Sequence, residues 1–216
     1  MGYAIVIGAS GGIGAALADR LARGHDVTRL SRSADGLDVT SDASVAAALG
    51  ALAAPVDVAF VATGILAPEG RAPEKSLDAV DPEAMARTFA VNAIGPALVL
   101  KHLAPRLAEG ARVGVLTARV GSIGDNRLGG WHSYRAAKAA ANMIVRGAAI
   151  EIGRRSKGSV VAALHPGTVE TPFTAGYKAP KVPAAEAAAN LVRVLEGLGP
   201  EDSGGFFDQA GARIEW

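Results

Sequence analysis

The sequence predicts an α/β domain in which a doubly wound, parallel β-sheet carries helices on both faces. Short apolar runs at 3–7, 26–30, 56–62, 112–117 and 159–164 are typical of buried strands, and longer stretches with helical spacing separate them. This alternation favours a parallel sheet. A chain of 216 residues without a repeat, a linker or a break in composition predicts a single domain over 1–216.

Start signals and periodicity place the elements in chain order. The first strand runs into a glycine-rich turn at 8–14 that opens the first helix. After the third strand, Asp81 followed by a proline offers a helix start, so a long helix is predicted over 82–109 with a disturbance near Pro96. The other elements follow from periodicity and composition: helices over 132–152 and 183–198, a last strand over 204–208, and proline-bearing loops at 66–80 and 171–182.

Composition excludes several classes of function. The chain has no cysteine, and its four histidines lack metal-ligand spacing, so we expect no metal site. The 22 basic and 21 acidic residues are scattered, which argues against nucleic-acid binding. The first strand begins too early to follow a signal peptide, and no stretch approaches the ~18 apolar residues of a membrane span, so we expect a cytoplasmic protein without membrane contact.

The turn after the first strand is typical of a phosphate-binding turn. Gly8, Gly12 and Gly14 let the backbone approach a pyrophosphate closely, and the helix that begins there supplies N–H donors and the positive end of its dipole. A strand before the turn and a helix after it are the context that this motif requires. We therefore expect a dinucleotide at this turn.

The end of the second strand indicates which dinucleotide binds. A carboxylate there would accept a hydrogen bond from a free ribose 2′-hydroxyl and would repel a 2′-phosphate. The chain has Ser31-Arg32 instead, and the guanidinium of Arg32 can hold a phosphate through paired N–H donors. NADP(H) is therefore favoured over NAD(H), and Asp38-Val39 is expected beside the adenine ring.

Tyr134 and Lys138 are spaced four residues apart on a predicted helix, so both lie on one face. Lowering the pKa of a phenol from ~10 toward ~7 for proton transfer requires ~4 kcal/mol. An ammonium ~5 Å away supplies ~3 kcal/mol at an effective dielectric constant of ~20, and the positive charge of an oxidised nicotinamide adds to it. The pair therefore suffices for general acid/base chemistry.

Taken together, these motifs resemble those of the short-chain dehydrogenase/reductase family, and the resemblance extends over nearly the whole chain. The motifs concerned are the turn at 8–14, Asp38-Val39, Thr63-Gly64, Asn92, Tyr134 with Lys138, Pro166-Gly167-Thr168-Val169 and Thr171. The run from Ala118 to Asn126 and the terminal Trp216 are similar to the C-factor-type subgroup of small members.

This resemblance implies a Rossmann fold and a set of site residues. It makes Tyr134 the acid/base, Lys138 the group that binds the nicotinamide ribose and lowers the tyrosine pKa, and Asn92 the support of a water relay. Sequence and resemblance together predict these cofactor-binding residues: Gly8, Ser10, Gly11, Gly12, Ile13, Gly14, Arg32, Asp38, Val39, Thr63, Gly64, Asn92, Tyr134, Lys138, Pro166, Gly167, Val169 and Thr171.

One departure concerns the serine that orients the substrate in this family. Its position falls on Ala118, which has no hydroxyl, and strand alternation points Thr117 to the opposite face. Ser122 lies at about the usual interval before Tyr134 and is the predicted replacement. Without such a hydroxyl, one transition-state hydrogen bond is lost, a change that costs on the order of a hundredfold in other enzymes.

The sequence favours a carbonyl reductase or alcohol dehydrogenase whose substrate is a small carbonyl compound or alcohol. Phe173 and Tyr177 in the loop at 171–182 are candidates to line its pocket, although packing at the edge of the domain is the favoured role for each. A weakly active or inactive dinucleotide-binding signalling protein is the alternative. A methyltransferase would share the layout but would have no use for Tyr134, Lys138 and Arg32. The resemblance further implies a homodimer or homotetramer.

Overall fold

The computed structural model describes residues 1–216 and contains six strands. They are β1 (Gly2–Ile7), β2 (His25–Leu30), β3 (Val56–Val61), β4 (Leu107–Leu116), β5 (Val160–His165) and β6 (Phe206–Asp208). The helices are α1 (Gly12–Leu21), α2 (Arg32–Asp35), α3 (Asp42–Gly50), α4 (Pro82–Phe89), α5 (Gly95–Leu103), α6 (His132–Arg155) and α7 (Ala184–Gly197). This alternation confirms the predicted α/β class.

All six strands are parallel and lie in the order β2-β1-β3-β4-β5-β6. The chain leaves β1 toward one side for β2 and then crosses to the other side for β3, so the strand order reverses at β1. Sheets of this kind bind ligands outside the carboxyl ends of their strands at such a reversal. The doubly wound Rossmann arrangement is confirmed, and it directs attention to the edge between β1 and β3.

Apolar side chains cover both faces of the sheet. One cluster of 23 buried residues joins the sheet to α3, α5 and α6, and another of 19 joins it to α1 and α7. Successive residues of β1 alternate between the two, with Ile5 and Ile7 in the first cluster and Ala4 and Val6 in the second. Because both faces are buried, the strands appear in the sequence as continuous apolar runs.

The prediction of one continuous helix over 82–109 is wrong. A π-helical turn at Ala90–Ile94 separates α4 from α5, and the amide of Gly95 donates to the carbonyl of Ala90, five residues back. Pro96 follows immediately and has no N–H for a regular helical ladder. The predicted disturbance near Pro96 is therefore real, but it is a change of helical register rather than a simple kink.

The helix also ends earlier than predicted. Helix α5 stops at Leu103, and β4 already begins at Leu107, ahead of the predicted start at residue 112. Leu107 pairs with Val56, whereas Arg112 pairs with Val58, so the intervening residues bulge out of the register. The strand was predicted from its apolar run, and the exposed residues Glu109 and Gly110 in the bulged start precede that run.

Two further features complete the fold. The short helix α2, directly after β2, was not predicted; Ser31 begins it by accepting a hydrogen bond from the amide of Ala34 at 3.2 Å. No helix combines the length and apolar character needed to cross a membrane.

Candidate active site

The turn between β1 and α1 leaves backbone donors free. Gly11 is the N-cap of α1, forms no side-chain cap hydrogen bond, and no acidic residue lies in the first helical turn. Ser10, Gly11 and Gly12 are exposed. Unpaired N–H groups at the positive end of a helix dipole attract phosphate. This turn therefore fits the diphosphate of a dinucleotide.

Close backbone packing explains two of the glycines. Gly8 has a φ of +92°, and a Cβ on it would lie 2.8 Å from the carbonyl oxygen of Ala62, just past β3. A Cβ on Gly14 would lie 2.1 Å from the carbonyl oxygen of Gly8. Any side chain at these positions would force the turn apart, so the compact turn at the strand reversal requires glycine.

The chain after β5 borders the other side of the turn. A Cβ on Gly12 would lie 2.6 Å from Cγ2 of Thr171, so these two predicted residues meet across the site. Gly167 has a φ of +77°, and the buried Val169 pairs with Val182 through an isolated bridge that closes the loop between them. The structure thus brings the segment 166–171 to the glycine-rich turn, as expected for a shared ligand.

Arg32 lies at the first position of α2, at the carboxyl end of β2. Its side chain is exposed and takes part in none of the salt bridges of the protein. Hydrogen bonds from Thr40 lower the pKa of Asp38. The positive charges of Arg87 and Arg32 lower it further. The guanidinium of Arg32 is therefore available to an anion from outside the chain.

The residues predicted beside the adenine are divided between two environments. Asp38 is exposed, and its carboxylate accepts hydrogen bonds from the amide and the hydroxyl of Thr40 at 2.9 and 2.7 Å. Val39 is buried, and a Cβ on Gly95 would lie 3.1 Å from its Cγ2. Val39 thus packs against the start of α5, beside the π-helical turn.

Tyr134 and Lys138 lie on one face of α6, and both are buried, with 6% and 3% exposure. Nζ of Lys138 is 5.9 Å from the centre of the Tyr134 ring and donates to the carbonyl of Leu116, at the end of β4, at 3.0 Å. Burial lowers the pKa of Lys138 to about 8 and raises that of Tyr134. In the chain alone, burial therefore outweighs the effect of the ammonium on the phenol.

Asn92 lies in the π-helical turn and is fully buried. Its side chain forms two hydrogen bonds with the backbone of Ile65: Oδ1 accepts from the amide at 2.9 Å and Nδ2 donates to the carbonyl at 2.7 Å. A Cβ on Gly64 would lie 3.1 Å from Oδ1 of Asn92 and 3.4 Å from Nζ of Lys138. The predicted Thr63-Gly64 segment, Asn92 and Lys138 thus meet after β3.

Ser122, the predicted replacement for the missing serine, is engaged in its own loop. It is 1% exposed, and its hydroxyl oxygen accepts a hydrogen bond from the amide of Asp125 at 3.0 Å. Ala118 follows β4 in an extended conformation. The contacts of Ser122 therefore give no support to a role on the substrate.

The rings of Trp131 and Phe173 lie next to that of Tyr134, and Trp131, which was not predicted, also contacts Tyr177. The ring of Trp131 lies 6.2 Å from that of Tyr134 and 5.6 Å from that of Tyr177, and Phe173 lies 6.1 Å from Tyr134. Trp131 has a φ of +52°, the only non-glycine residue with a positive φ, and it follows Gly129 and Gly130 with φ values of +61° and +64°. Such strain is concentrated at functional sites.

Glu74 is another unpredicted residue at the site. Its carboxylate accepts hydrogen bonds from the amide of Ser133, at 3.3 Å, and from the hydroxyl of that residue, while its carbonyl accepts from the amide of Trp131. Burial, the largest single effect, would raise the pKa of Glu74, but the hydrogen bonds from Ser133, the hydrogen bond from its own amide and the charge of His132 together lower it. Glu74 therefore caps the helix that carries Tyr134 from a distant loop.

Comparisons with known proteins agree with this arrangement. The model of a family described as enoyl-(acyl carrier protein) reductase matches residues 13–202. 1-Hydroxy-2-glutathionyl-2-methyl-3-butene dehydrogenase of Rhodococcus sp. strain AD45 is 34% identical over 234 residues, which covers 100% of both chains. This chain belongs to the short-chain dehydrogenase/reductase family.

Other short-chain dehydrogenases/reductases refine the comparison. C-signal of Myxococcus xanthus is 42% identical over 143 residues, covering 65% of this chain and 84% of C-signal, which supports the C-factor-type subgroup. The NADPH-bound carbonyl reductase from chicken fatty liver superposes with a TM-score of 0.82 at 25% identity, covering 99% of this chain and 98% of that one. The protein is a short-chain oxidoreductase that acts on a CH–OH or C=O group.

Proposed function

We propose that this short-chain dehydrogenase/reductase is an NADP(H)-dependent carbonyl reductase or alcohol dehydrogenase in which Tyr134 exchanges the proton. The observation that carries the proposal is the buried pair of Tyr134 and Lys138 at the carboxyl edge of the sheet, beside Asn92 and Gly64. A phenol and an ammonium on one helix face have no evident structural purpose there, since burial of a charged group is costly.

The chain supplies the groups that would hold NADP(H). The uncapped N-terminus of α1 suits the diphosphate, and the exposed guanidinium of Arg32 suits the 2′-phosphate. Lys138 lies where it can donate to the nicotinamide ribose, because its ammonium already faces the end of β4. When bound, the dinucleotide supplies the hydride in reduction or accepts it in oxidation.

Tyr134 handles the proton at its phenolic oxygen. Burial raises the pKa of Tyr134, so the phenol is protonated at neutral pH and can donate to an alkoxide that forms in reduction. Burial lowers the pKa of Lys138 to about 8, so most of its amines still carry a proton at pH 7. That positive charge stabilises the phenolate left after donation. The two protonation states therefore favour the reductive direction near neutral pH.

Asn92 lies in the π-helical turn beside the pair formed by Tyr134 and Lys138. Its side chain binds the backbone of Ile65, so a water relay would use its main-chain carbonyl instead. In a regular helix this carbonyl would accept from the amide four residues on, but that residue is Pro96, which has none. The carbonyl of Asn92 is thus suited to hold the water that restores the proton of Tyr134 through Lys138.

The alternative function, a dinucleotide-binding signalling protein with little turnover, stays a prediction that rests on the C-factor-type resemblance and on the absence of a hydroxyl at Ala118. The assembly into a homodimer or homotetramer and the cytoplasmic location are also proposals. Light scattering of the purified protein would test the assembly, and a mass of one chain, 21.8 kDa, would contradict it.

The first experiment is a fluorescence titration with NADPH and with NADH, followed by NADPH oxidation against a panel of aldehydes, ketones and quinones. We expect NADPH to bind more tightly than NADH and at least one carbonyl compound to be reduced. The Tyr134→Phe variant should bind NADPH as tightly as the unmodified protein but lose turnover by ~10²–10⁴-fold, because it cannot transfer the proton.

The outcomes separate the two candidate functions. Tight NADPH binding with turnover that depends on Tyr134 supports the reductase. Tight binding without turnover of any carbonyl compound or of the matching alcohols with NADP⁺ favours the signalling protein. Absence of dinucleotide binding contradicts both.

A further inference from the structure

A substrate carbonyl oxygen that accepts a hydrogen bond from Tyr134 can accept a second one. Such an oxygen has two lone pairs, and the developing alkoxide is best stabilised when two donors point at it. Position 118, directly after β4, is an alanine and offers no hydroxyl. If the proposed reductase function holds, on which this inference rests, a second donor must come from elsewhere.

The hydroxyl groups closest in sequence to the reacting pair are not available. The Ser122 oxygen accepts from the amide of Asp125, which leaves its O–H free, but the residue is only 1% exposed and is enclosed by its own loop. Ser133 donates its hydroxyl to Glu74. Thr117 is 4% exposed, and its buried hydroxyl has no hydrogen-bond partner, so it is enclosed in the protein rather than open to a substrate.

Tyr177 in the loop 171–182 faces the same indole as Tyr134. Its ring lies 5.6 Å from Trp131, and the ring of Trp131 lies 6.2 Å from Tyr134, so the two phenols flank one side chain. The strained backbone of Trp131, with a φ of +52°, holds the indole in the position where it meets both. Tyr177 is partly exposed and therefore open to a ligand.

The backbone of Tyr177 is fixed by local hydrogen bonds. Its amide donates to the carbonyl of Thr174 at 2.9 Å, and the hydroxyl of Thr174 donates to the carbonyl of Val169. The isolated bridge between Val169 and Val182 closes the base of the loop. The backbone that carries the second phenol is thus held by hydrogen bonds within the loop.

The pKa shifts of the two tyrosines agree with the placement of Tyr177 near Tyr134. The pKa of Tyr134 is raised first by burial and then by the negative charge that Tyr177 carries when ionised, so the two phenol groups are close enough to influence each other. Burial also raises the pKa of Tyr177, which keeps its proton available for donation at neutral pH. Both tyrosines are therefore donors under the conditions in which a carbonyl group would be reduced.

We infer that Tyr177 donates the second hydrogen bond to the carbonyl oxygen of the substrate, in the place of the hydroxyl that Ala118 lacks. Tyr134 transfers its proton to this oxygen, whereas Tyr177 keeps its own and stabilises the negative charge. Tyr177 is in this sense a catalytic residue that the substrate loop supplies.

The test combines Tyr177→Phe with Ala118→Ser. With NADPH and 4-nitrobenzaldehyde, or the panel carbonyl that the unmodified protein reduces fastest, Tyr177→Phe should lower kcat by ~10–100-fold and leave NADPH affinity unchanged. Adding Ala118→Ser to this variant should restore kcat at least tenfold, because a hydroxyl returns beside the same oxygen.

A matched control removes a phenol far from the site. The hydroxyl of Tyr3 bonds to Thr28 at 2.7 Å on neighbouring strands, so Tyr3→Phe should leave kcat unchanged. If Tyr177→Phe has the unmodified kcat while Tyr134→Phe is inactive, the inference fails and the reductase function stands. A loss without rescue by Ala118→Ser also overturns it, because Tyr177 would then act by packing. An unmodified protein that reduces no carbonyl compound removes the proposed function itself.

Discussion

The burial of Lys138, which its proposed role at the active site requires, lowers the stability of the protein. Burial lowers its pKa from 10.5 to about 8, so between these pH values the unfolded chain binds more protons than the folded one, and stability rises with pH. The full penalty is present below pH 8. At 1.36 kcal/mol per pH unit, this loss in the free energy of unfolding amounts to about 1–3 kcal/mol after allowance for water that reaches the site.

Replacing Lys138 with methionine removes this buried charge. We predict that Lys138→Met raises the free energy of unfolding of the dinucleotide-free protein at pH 7 by about 1–3 kcal/mol and abolishes turnover. Urea unfolding at pH 7 and pH 10 checks the prediction, because the advantage of the variant should shrink at the higher pH. A variant that is less stable at pH 7 would show that the ammonium stabilises the fold.

Arg32 is the residue on which cofactor choice is expected to depend. Arg32→Ala should weaken NADPH binding by ~10–100-fold, since a charge-assisted hydrogen bond contributes about 1.5–3 kcal/mol, and should leave NADH binding within a factor of two or three. Fluorescence titration measures both affinities. Arg23→Ala removes another exposed arginine and is the control. Equal losses for NADPH and NADH would contradict the assignment of Arg32 to the 2′-phosphate.

At the scale of elements, the start of α6 depends on a loop far away in sequence. Trp131 is the N-cap of α6 but forms no side-chain cap hydrogen bond, and the carboxylate of Glu74 supplies the missing acceptor for Ser133. Glu74→Gln should reduce the free energy of unfolding by about 1–2 kcal/mol at pH 7. It should also lower turnover, because Tyr134 lies in the first turn of this helix.

The pH dependence of this effect has a definite sign. Folding lowers the pKa of Glu74 below its ordinary value of 4.5. The contribution of its carboxylate to stability is therefore fully present above pH 4.5 and is lost as the pH falls through the pKa of the folded protein. The stability difference between Glu74→Gln and the unmodified protein should therefore narrow as the pH falls below 4.5. Glu69→Gln, an exposed position in the same loop, is the control. A difference that persists in acid would assign the effect to packing.

Elements with local signals were predictable from the sequence, and elements held by distant contacts were not. The apolar runs of β1 and β3 and the start of α4 after Asp81 are encoded in a few neighbouring residues. The bulged start of β4 depends on its pairing with Val56, and the cap of α6 depends on Glu74. Neither partner can be recognised before the chain has folded.

At the scale of the whole molecule, the parallel sheet explains why the predicted site residues meet. Parallel strands end at one edge, so motifs after β1, β3, β4 and β5 converge although they are far apart in sequence. The sequence contained the glycine-rich turn, Tyr134 and Lys138 in recognisable form. It contained no comparable signal for Trp131, whose left-handed backbone after Gly129-Gly130 became visible only in the structure.

This convergence also couples cofactor binding to global stability. At a concentration 100 times its dissociation constant, NADPH should stabilise the fold by about 2.7 kcal/mol and raise Tm by roughly 5–10 °C. Gly14→Ala should remove most of this shift, because the new Cβ would lie 2.1 Å from the carbonyl oxygen of Gly8 and would deform the turn. Gly24→Ala, where a Cβ meets no atom within 4 Å, should keep it. Thermal unfolding of the three proteins with and without NADPH decides the matter: a full shift in Gly14→Ala would mean that the dinucleotide binds away from the carboxyl end of β1.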